Sequence, residues 1–315
     1  MSEMTLHRLA ITGPRPLRVL LGDAIARLER EGVPSAPLAA ELLLMHVLGQ
    51  DRTWIYAHPD HELDATAREQ YFCKIARRAH GIPTQHLTGH QEFWGLDFEV
   101  TPDVLIPRPE TEHVIEVALG QLGVTAEANS PRRHKKFHIA DIGTGSGCIA
   151  IALAHELPAA RIVATDISAA ALAVARRNAA RHGVASRIDF DECNLLGALL
   201  HQSPVTDHQS PHLDLIASNP PYIGRREAAT LPREVREHEP ESALFAGETG
   251  TEMYAPLIAQ AAALLKPGGL LVLEHGHNSA EHVLSLLAFP GWESVTFTDD
   301  LAGISRVASA RRGRE

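Results

Sequence analysis

Apolar positions recur with a helical period from Leu17 to about Arg78. In LRVLLGDAIARLEREG, the residues Leu17, Leu20, Leu21, Ala24, Ile25 and Leu28 fall on one stripe, and Gly32 with Pro34 stops it. Ser35 and Pro37 open a second helix, PLAAELLLMHVLG, closed by Gly49. A third, from roughly Asp64 to His80, starts on DATARE, a capping arrangement. These helices form a small bundle that carries no catalytic constellation, so its role is packing or recognition of a partner. The stretch FWGLDFEVTPDVLIPRPET then alternates, is broken by Gly95 and Pro102, and predicts a β-hairpin joining two domains.

From Phe137 the pattern changes to alternating strand and helix. FHIADI, RIVATDI, RIDFDE, LDLIAS and GLLVLEH are strands, with helices over Cys148–Leu157 and Ser168–His182. WESVTFTDD and ISRVASAR add two more strands around a turn at Asp300 to Gly303. This is the pattern of an α/β doubly wound sheet closed by an antiparallel edge hairpin. The expected organisation is a loose tail over 1–16, a helical domain over 17–90, a hairpin linker over 91–109 and an α/β domain over 110–315. Residues 123–135 read as a polar loop, and HQSPVTDHQSPH (201–212), with its repeated H-Q-S-P, as a flexible insertion.

Composition changes this picture in three ways. The apolar runs, such as Ile149 to Ala154, are too short to span a bilayer, and the first ten residues lack a secretory apolar stretch. The expectation is a cytoplasmic protein without a membrane partner. The net charge is −10, which favours a protein or small-ligand partner over direct nucleic-acid binding. Cys73, Cys148 and Cys193 form no C-x-x-C pair, and the 19 histidines include no H-E-x-x-H, so neither a disulfide framework nor a metal site is expected.

Two loops carry chemistry. Asp141-Ile142-Gly143-Thr144-Gly145-Ser146-Gly147 follows the first strand of the α/β domain and opens a helix. Its glycines permit a tight turn and close approach of a ligand to the backbone, and the helix N-terminus offers free N–H groups. The spacing is G-x-G-x-G, unlike the G-x-G-x-x-G of dinucleotide binders. Asp166, at the end of the next strand, can accept both hydroxyls of a ribose. Together these residues suit a nucleoside with a carboxylate and no pyrophosphate, which describes S-adenosylmethionine. The plainer alternative is a structural turn, with Asp166 as a helix N-cap. The loop Cys193-Asn194-Leu195-Leu196 falls beside the adenine, where Leu195 is either a contact or a packing residue.

The second loop, Asn219-Pro220-Pro221-Tyr222, ends the fourth strand of that domain. Consecutive prolines cannot pair in a sheet and hold the backbone stiff. The Asn219 side-chain oxygen and the Pro220 carbonyl can accept the two N–H bonds of a planar NH₂, and Tyr222 can pack flat on the acceptor plane. Such a nitrogen has a delocalised lone pair, so orientation is the main help an enzyme can give. A sulfonium leaving group requires no strong base.

With LIPRPETE (105–112), DIGTGSG, SNPPYI, EPESAL (239–244) and LEHG (273–276), the chain resembles the bacterial release-factor glutamine N5-methyltransferases from about Leu20 to about Ala308. The resemblance implies a seven-stranded Rossmann-like sheet and methylation of the side-chain amide of the glutamine in the Gly-Gly-Gln motif of peptide chain release factors. Gly143, Thr144, Gly145, Ser146, Gly147 and Asp166 would hold the donor. Asn219, Pro220, Pro221 and Tyr222 would hold the glutamine, and the helical domain would help grip the factor as a monomeric enzyme. Where the family places an Asp and an aromatic beside the adenine, this chain has Asn194 and Leu195. Arg108 is either a substrate contact or the partner of an internal acid. The rivals are glutamine methylation of a large-subunit ribosomal protein, adenine-N6 methylation of nucleic acid, and a non-catalytic binding module. The PRPETE segment favours release factors, the net charge opposes nucleic acid, and the intact glycines and Asn219 oppose a decayed enzyme.

Overall fold

The computed structural model describes residues 15–124, 131–201 and 213–314. The chain packs as two units, residues 1–88 and 89–315.

The first unit holds α1 (Leu17–Arg30), α2 (Ala36–Leu48), α3 (Arg52–Ala57), α4 (Ala65–Ala79) and α5 (Thr84–Thr88). Its core is the stripe expected in α1 together with Leu43, Leu44, Tyr71 and Ile75, and only Ile25 of that stripe is half-exposed. Asp64 caps α4 by accepting Ala67 N–H at 2.8 Å. Ser35 makes no capping bond and lies at φ 50°, so the start of α2 rests on Pro37 in its first turn. The short α3 and α5 were not expected from periodicity; α3 is opened by Asp51, which accepts Trp54 N–H at 2.7 Å. Most of the anticipated tail lies outside the described residues, but Pro16 already bridges Glu62 and Arg15 pairs with Asp23.

In the second unit, β1 (His90–Phe93) and β2 (Leu96–Glu99) form the hairpin, turned by Trp94 and Gly95 at φ 55° and 70°. Left-handed values at both turn residues match the twist of the strands. Phe93 and Phe98 of the hairpin are fully buried in the core of this unit. There follow α6 (Glu112–Leu122), β3 (His138–Ile142), α7 (Cys148–Glu156), β4 (Arg161–Asp166), α8 (Ala169–Arg181), β5 (Ile188–Glu192) and α9 (Gly197–His201). The remainder is β6 (Leu213–Ser218), β7 (Ile223–Gly224), α10 (Arg233–His238), α11 (Glu241–Leu244), β8 (Phe245–Gly247), α12 (Tyr254–Leu264), β9 (Leu265–Glu274), α13 (Ala280–Leu287), β10 (Trp292–Asp299) and β11 (Ser305–Arg312). Residues 202–212 of the insertion read at 201–212, and 125–130 of the 123–135 loop, lie outside the described residues.

Seven strands among the described residues form one sheet in the order β10-β11-β9-β6-β3-β4-β5. β9, β6, β3, β4 and β5 run parallel, while β11 is antiparallel to both β9 and β10, which is the expected edge hairpin. Parallel strands covered on both faces read as continuous apolar runs, and all six residues of β6 are buried. Successive residues enter opposite cores: Leu215 and Ala217 join Ile115 and Ile151 on one face, and Ile216 joins Leu257 and Ile258 on the other. Strand order reverses at β3, which pairs with β4 on one side and β6 on the other. Ligands of such sheets bind beyond the strand ends at this reversal.

Candidate active site

Register sets the site. Ile142 pairs with Thr165 of β4 and Ser218 of β6, and Ser218 pairs with Leu273 of β9. The residues that follow this paired level are Asp166 and Glu274, which end β4 and β9, and Gly143 and Asn219, which lie just beyond β3 and β6, a row at the carboxyl ends of four neighbouring strands. The Ser218 hydroxyl donates to the Ile142 carbonyl at 2.9 Å and locks β3 to β6 at this level.

The glycine loop turns sharply, with Gly143, Gly145 and Gly147 at φ 69°, 55° and 86°. A Cβ on Gly147 would stand 3.0 Å from Ile151 Cδ1 and 3.2 Å from Ala175 Cβ. A Cβ on Gly145 would meet nothing within 4 Å, so its open side is space for a ligand. Thr144 N–H donates to the Thr165 carbonyl and Gly145 N–H to Asp166 Oδ2, both at 2.9 Å. The Thr144 hydroxyl donates to Asp141 Oδ2 at 2.6 Å, where Ala150 N–H also arrives. Asp141 is buried, and burial pushes its pKa up to about 7 against those two hydrogen bonds. Asn178, also buried, donates to the Ser146 and Glu99 carbonyls and accepts Glu99 N–H, tying β2 to the glycine loop.

A cavity of about 410 Å³ is bordered by Asp166, Gly143 and Asn219 of this row, and not by Glu274. Of the residues predicted to hold the donor, Gly143, Thr144, Gly145, Ser146, Asp166, Leu195 and Asn219 line it, and Gly147 does not. Gly147 instead permits the close packing of α7 on α8. Asp166 Oδ1 accepts Ser168 N–H at 2.9 Å, so each of its oxygens holds one backbone N–H and keeps further acceptor capacity toward the cavity. Burial raises its pKa. The helix cap expected as its alternative role belongs to Ser168, which accepts Ala171 N–H. Leu195 is buried at φ 53°, at once a wall of the cavity and a member of the core. Ile167 borders the cavity with 56% of its surface exposed, an apolar contact that sequence reasoning missed.

Asn219, Pro220 and Pro221 also line the cavity. The Asn219 side-chain N–H donates to the Thr111 hydroxyl at 2.9 Å, which leaves its oxygen as the free end. Tyr222 departs from expectation. It does not border the cavity; its hydroxyl donates to Glu274 Oε1 at 3.1 Å, and its ring would lie 3.4 Å from a Cβ on Gly276. Burial, then the Glu274 charge, raises its pKa. Its hydroxyl is anchored on Glu274, at the end of β9 beside the loop.

Glu274 is 1% exposed, and burial pushes its pKa up to about 7. A carboxylate that ends a run of apolar strand residues was the available signal for it. The neighbouring His275 is hydrogen-bonded to the Gly276 carbonyl and the Ser305 hydroxyl, and burial lowers its pKa. Arg108, at the cavity wall, is spent on the buried Glu239, so its internal role is the one observed. Cys148 also borders the cavity, but burial pushes its thiol up to about 12, where it is inert. The arrangement can seat a nucleoside between the glycine turn and Asp166, and present two rigid oxygen acceptors to a planar nitrogen one strand away.

Residues 20–89 match a family model described as the PrmC N-terminal domain, and residues 126–235 one described as the methyltransferase small domain. The chain is 40% identical over 296 residues to the release factor glutamine methyltransferase of Koribacter versatilis, covering 94% of this chain and 98% of that protein. It is 42% identical over 305 residues to the enzyme of the same name from Nitratidesulfovibrio vulgaris, covering 96% and 97%. Among solved structures, the hMettl16 catalytic domain in complex with MAT2A 3'UTR hairpin 6 aligns with a TM-score of 0.53 at 19% identity, covering 77% of this chain and 82% of that one. That likeness is one of fold.

Proposed function

Since the chain belongs to the release factor glutamine methyltransferase family, we propose that it transfers a methyl group from S-adenosylmethionine to the side-chain amide nitrogen, N5, of the glutamine in the Gly-Gly-Gln motif of peptide chain release factors. The observation that carries this reading at the level of residues is the row Asp166, Gly143, Asn219, with Asn219 directing its oxygen end away from Thr111.

When bound, S-adenosylmethionine supplies an electrophilic sulfonium methyl group. Gly143 and Gly145 would give it backbone to lie against, and Asp166 would accept hydrogen bonds from its ribose hydroxyls. Asn219 Oδ1 takes one N–H of the glutamine amide and the Pro220 carbonyl takes the other. This turns the out-of-plane lobe of the nitrogen toward the methyl group. The prolines keep the two acceptors from relaxing, so the gain is orientation and pre-formed electrostatics. The proton leaves after transfer, when the nitrogen has become acidic, so no strong base is needed at the site.

Among its described residues the helical unit carries no such cluster, and we assign it to gripping the body of the release factor. The net charge of −10 supports a protein acceptor over nucleic acid. No helix among the described residues is long and apolar enough to cross a membrane, and the enzyme is read as a cytoplasmic monomer. The test is methylation by purified enzyme, with isotopically labelled donor, of release factor, large-subunit ribosomal protein and oligonucleotide in parallel. Label located by mass spectrometry on the Gly-Gly-Gln peptide is the expected result. Label on either other acceptor in preference would reject the assignment.

A further inference from the structure

Resting on the clamp read at Asn219, we propose that Glu274 is a positioning residue for methyl transfer: as an acceptor-only carboxylate it draws the Thr111 proton, and so compels the Asn219 amide to face the cavity with oxygen rather than nitrogen. An Asn amide has two ends of similar size and opposite polarity. Nothing in the shape of the N-P-P-Y loop chooses between them. The choice is made by what lies behind Asn219, which is Thr111, 2.9 Å from its nitrogen. A hydroxyl either donates or accepts along a given direction. If Thr111 donated to Asn219, the amide would turn over and aim N–H groups at the N–H groups of the substrate.

Glu274 removes that freedom. Its row position places it one strand beyond Asn219. Tyr222 donates to its Oε1, while its Oε2 is buried with no hydrogen-bond partner among the described residues, an acceptor left open. The Thr111 hydroxyl faces the same carboxylate. With the Thr111 proton drawn to Glu274, only a lone pair is left for Asn219, and the amide must offer its N–H there. The polarity thus runs in one direction from Asn219 through Thr111 to Glu274. Ionised, Glu274 can only accept; protonated, it can donate to Thr111 and free that hydroxyl to donate to Asn219. The charges and titratable groups facing Glu274 are Arg306, which opposes its protonation, Glu110, which favours it, and Tyr222, Cys148 and Tyr254.

The experiment compares Glu274→Gln, Thr111→Val, Thr111→Ser and Asn219→Ala with the parent enzyme, by donor binding in calorimetry and by kcat and KM on release factor from pH 5.5 to 9. A glutamine at 274 keeps the shape but can donate. We expect Glu274→Gln and Thr111→Val to lose roughly tenfold to a hundredfold in kcat with donor affinity within about threefold of the parent. Thr111→Ser, which keeps the hydroxyl, should recover most of the rate. The parent kcat should rise with pH to a plateau, and that rise should vanish in Glu274→Gln. A slow Glu274→Gln variant that keeps the parental pH rise would mean a merely structural role and overturn the proposal. So would full activity in Thr111→Val, which stands whether or not the glutamine variant folds. If Asn219→Ala is impaired while Glu274→Gln and Thr111→Val are as fast as the parent, the polarity argument fails and the clamp survives. If Asn219→Ala is itself unimpaired, the clamp fails and takes the proposal with it.

Discussion

The side-chain nitrogen of Asn219 lies 2.9 Å from the hydroxyl oxygen of Thr111, a residue 108 positions earlier that opens the way into α6. The bond joins the PRPETE segment (107–112) to the N-P-P-Y loop and orients the residue proposed to hold the acceptor amide. Asn219→Ala removes one of the two acceptors for the substrate amide. A loss of roughly 10²- to 10³-fold in kcat is expected, comparable to deleting an oxyanion-hole donor. Donor affinity should stay within a few-fold. Single-turnover methylation at saturating donor measures the first quantity and calorimetry the second.

Asp166 separates the two ligands in the opposite sense. Its carboxylate braces Gly145 N–H and Ser168 N–H while facing the cavity. Asp166→Ala should weaken donor binding about 10- to 100-fold, the value of charge-assisted hydrogen bonds lost to a buried site. At saturating donor, kcat should recover most of its parental value. A kcat defect that saturation fails to relieve would place Asp166 in the chemical step.

Gly147 does not border the cavity, yet no side chain fits there. At φ 86°, with Ile151 and Ala175 at 3.0 and 3.2 Å from the Cβ position, Gly147→Ala combines left-handed strain with overpacking. The expected cost is about 2–4 kcal/mol of stability, read as a lower urea midpoint. Gly145→Ala, with open space around its Cβ position, should carry only the left-handed strain of about 1–2 kcal/mol and express its defect mainly in donor affinity.

Glu274 and Asp141 are buried acids whose pKa values are pushed up to about 7 by burial. A group with a folded pKa above its unfolded value binds more protons when folded, so its contribution falls as pH rises from the unfolded pKa to the folded one. Both acids therefore make the protein less stable at pH 8 than near pH 5, other groups aside. Glu274→Gln should match the parent at pH 5, where both side chains are neutral, and gain on it by the order of 2 kcal/mol at pH 8. Urea midpoints at four pH values across this range decide it. Parallel curves for the two proteins would show that Glu274 does not titrate in that window.

Much of the α/β unit was legible because its strands are apolar on both faces and its turns are marked by glycine and proline. The G-x-G-x-G turn, Asp166 and Asn219 each sit where a strand ends, so one sequence signal located both element and site. The missed features depend on pairing across the fold. The partnership of Tyr222 with Glu274 spans 52 residues and exists because β6 lies beside β9. From the chain alone, a tyrosine after two prolines reads as a stacking platform. The hairpin read as a linker is held by Phe93 and Phe98 in the core and by Asn178 of α8, and local alternation does not reveal which body a strand pair joins. Helix α3 is six residues long, too short to show a period.

The row of Asp166, Gly143, Asn219 and Glu274 makes the sheet itself a ruler. Adjacent strands in any sheet stand about 4.8 Å apart, so backbone hydrogen bonding sets the spacing of the strand ends from which the proposed donor seat and acceptor clamp project. The loops that follow those ends can then vary in sequence without changing that spacing.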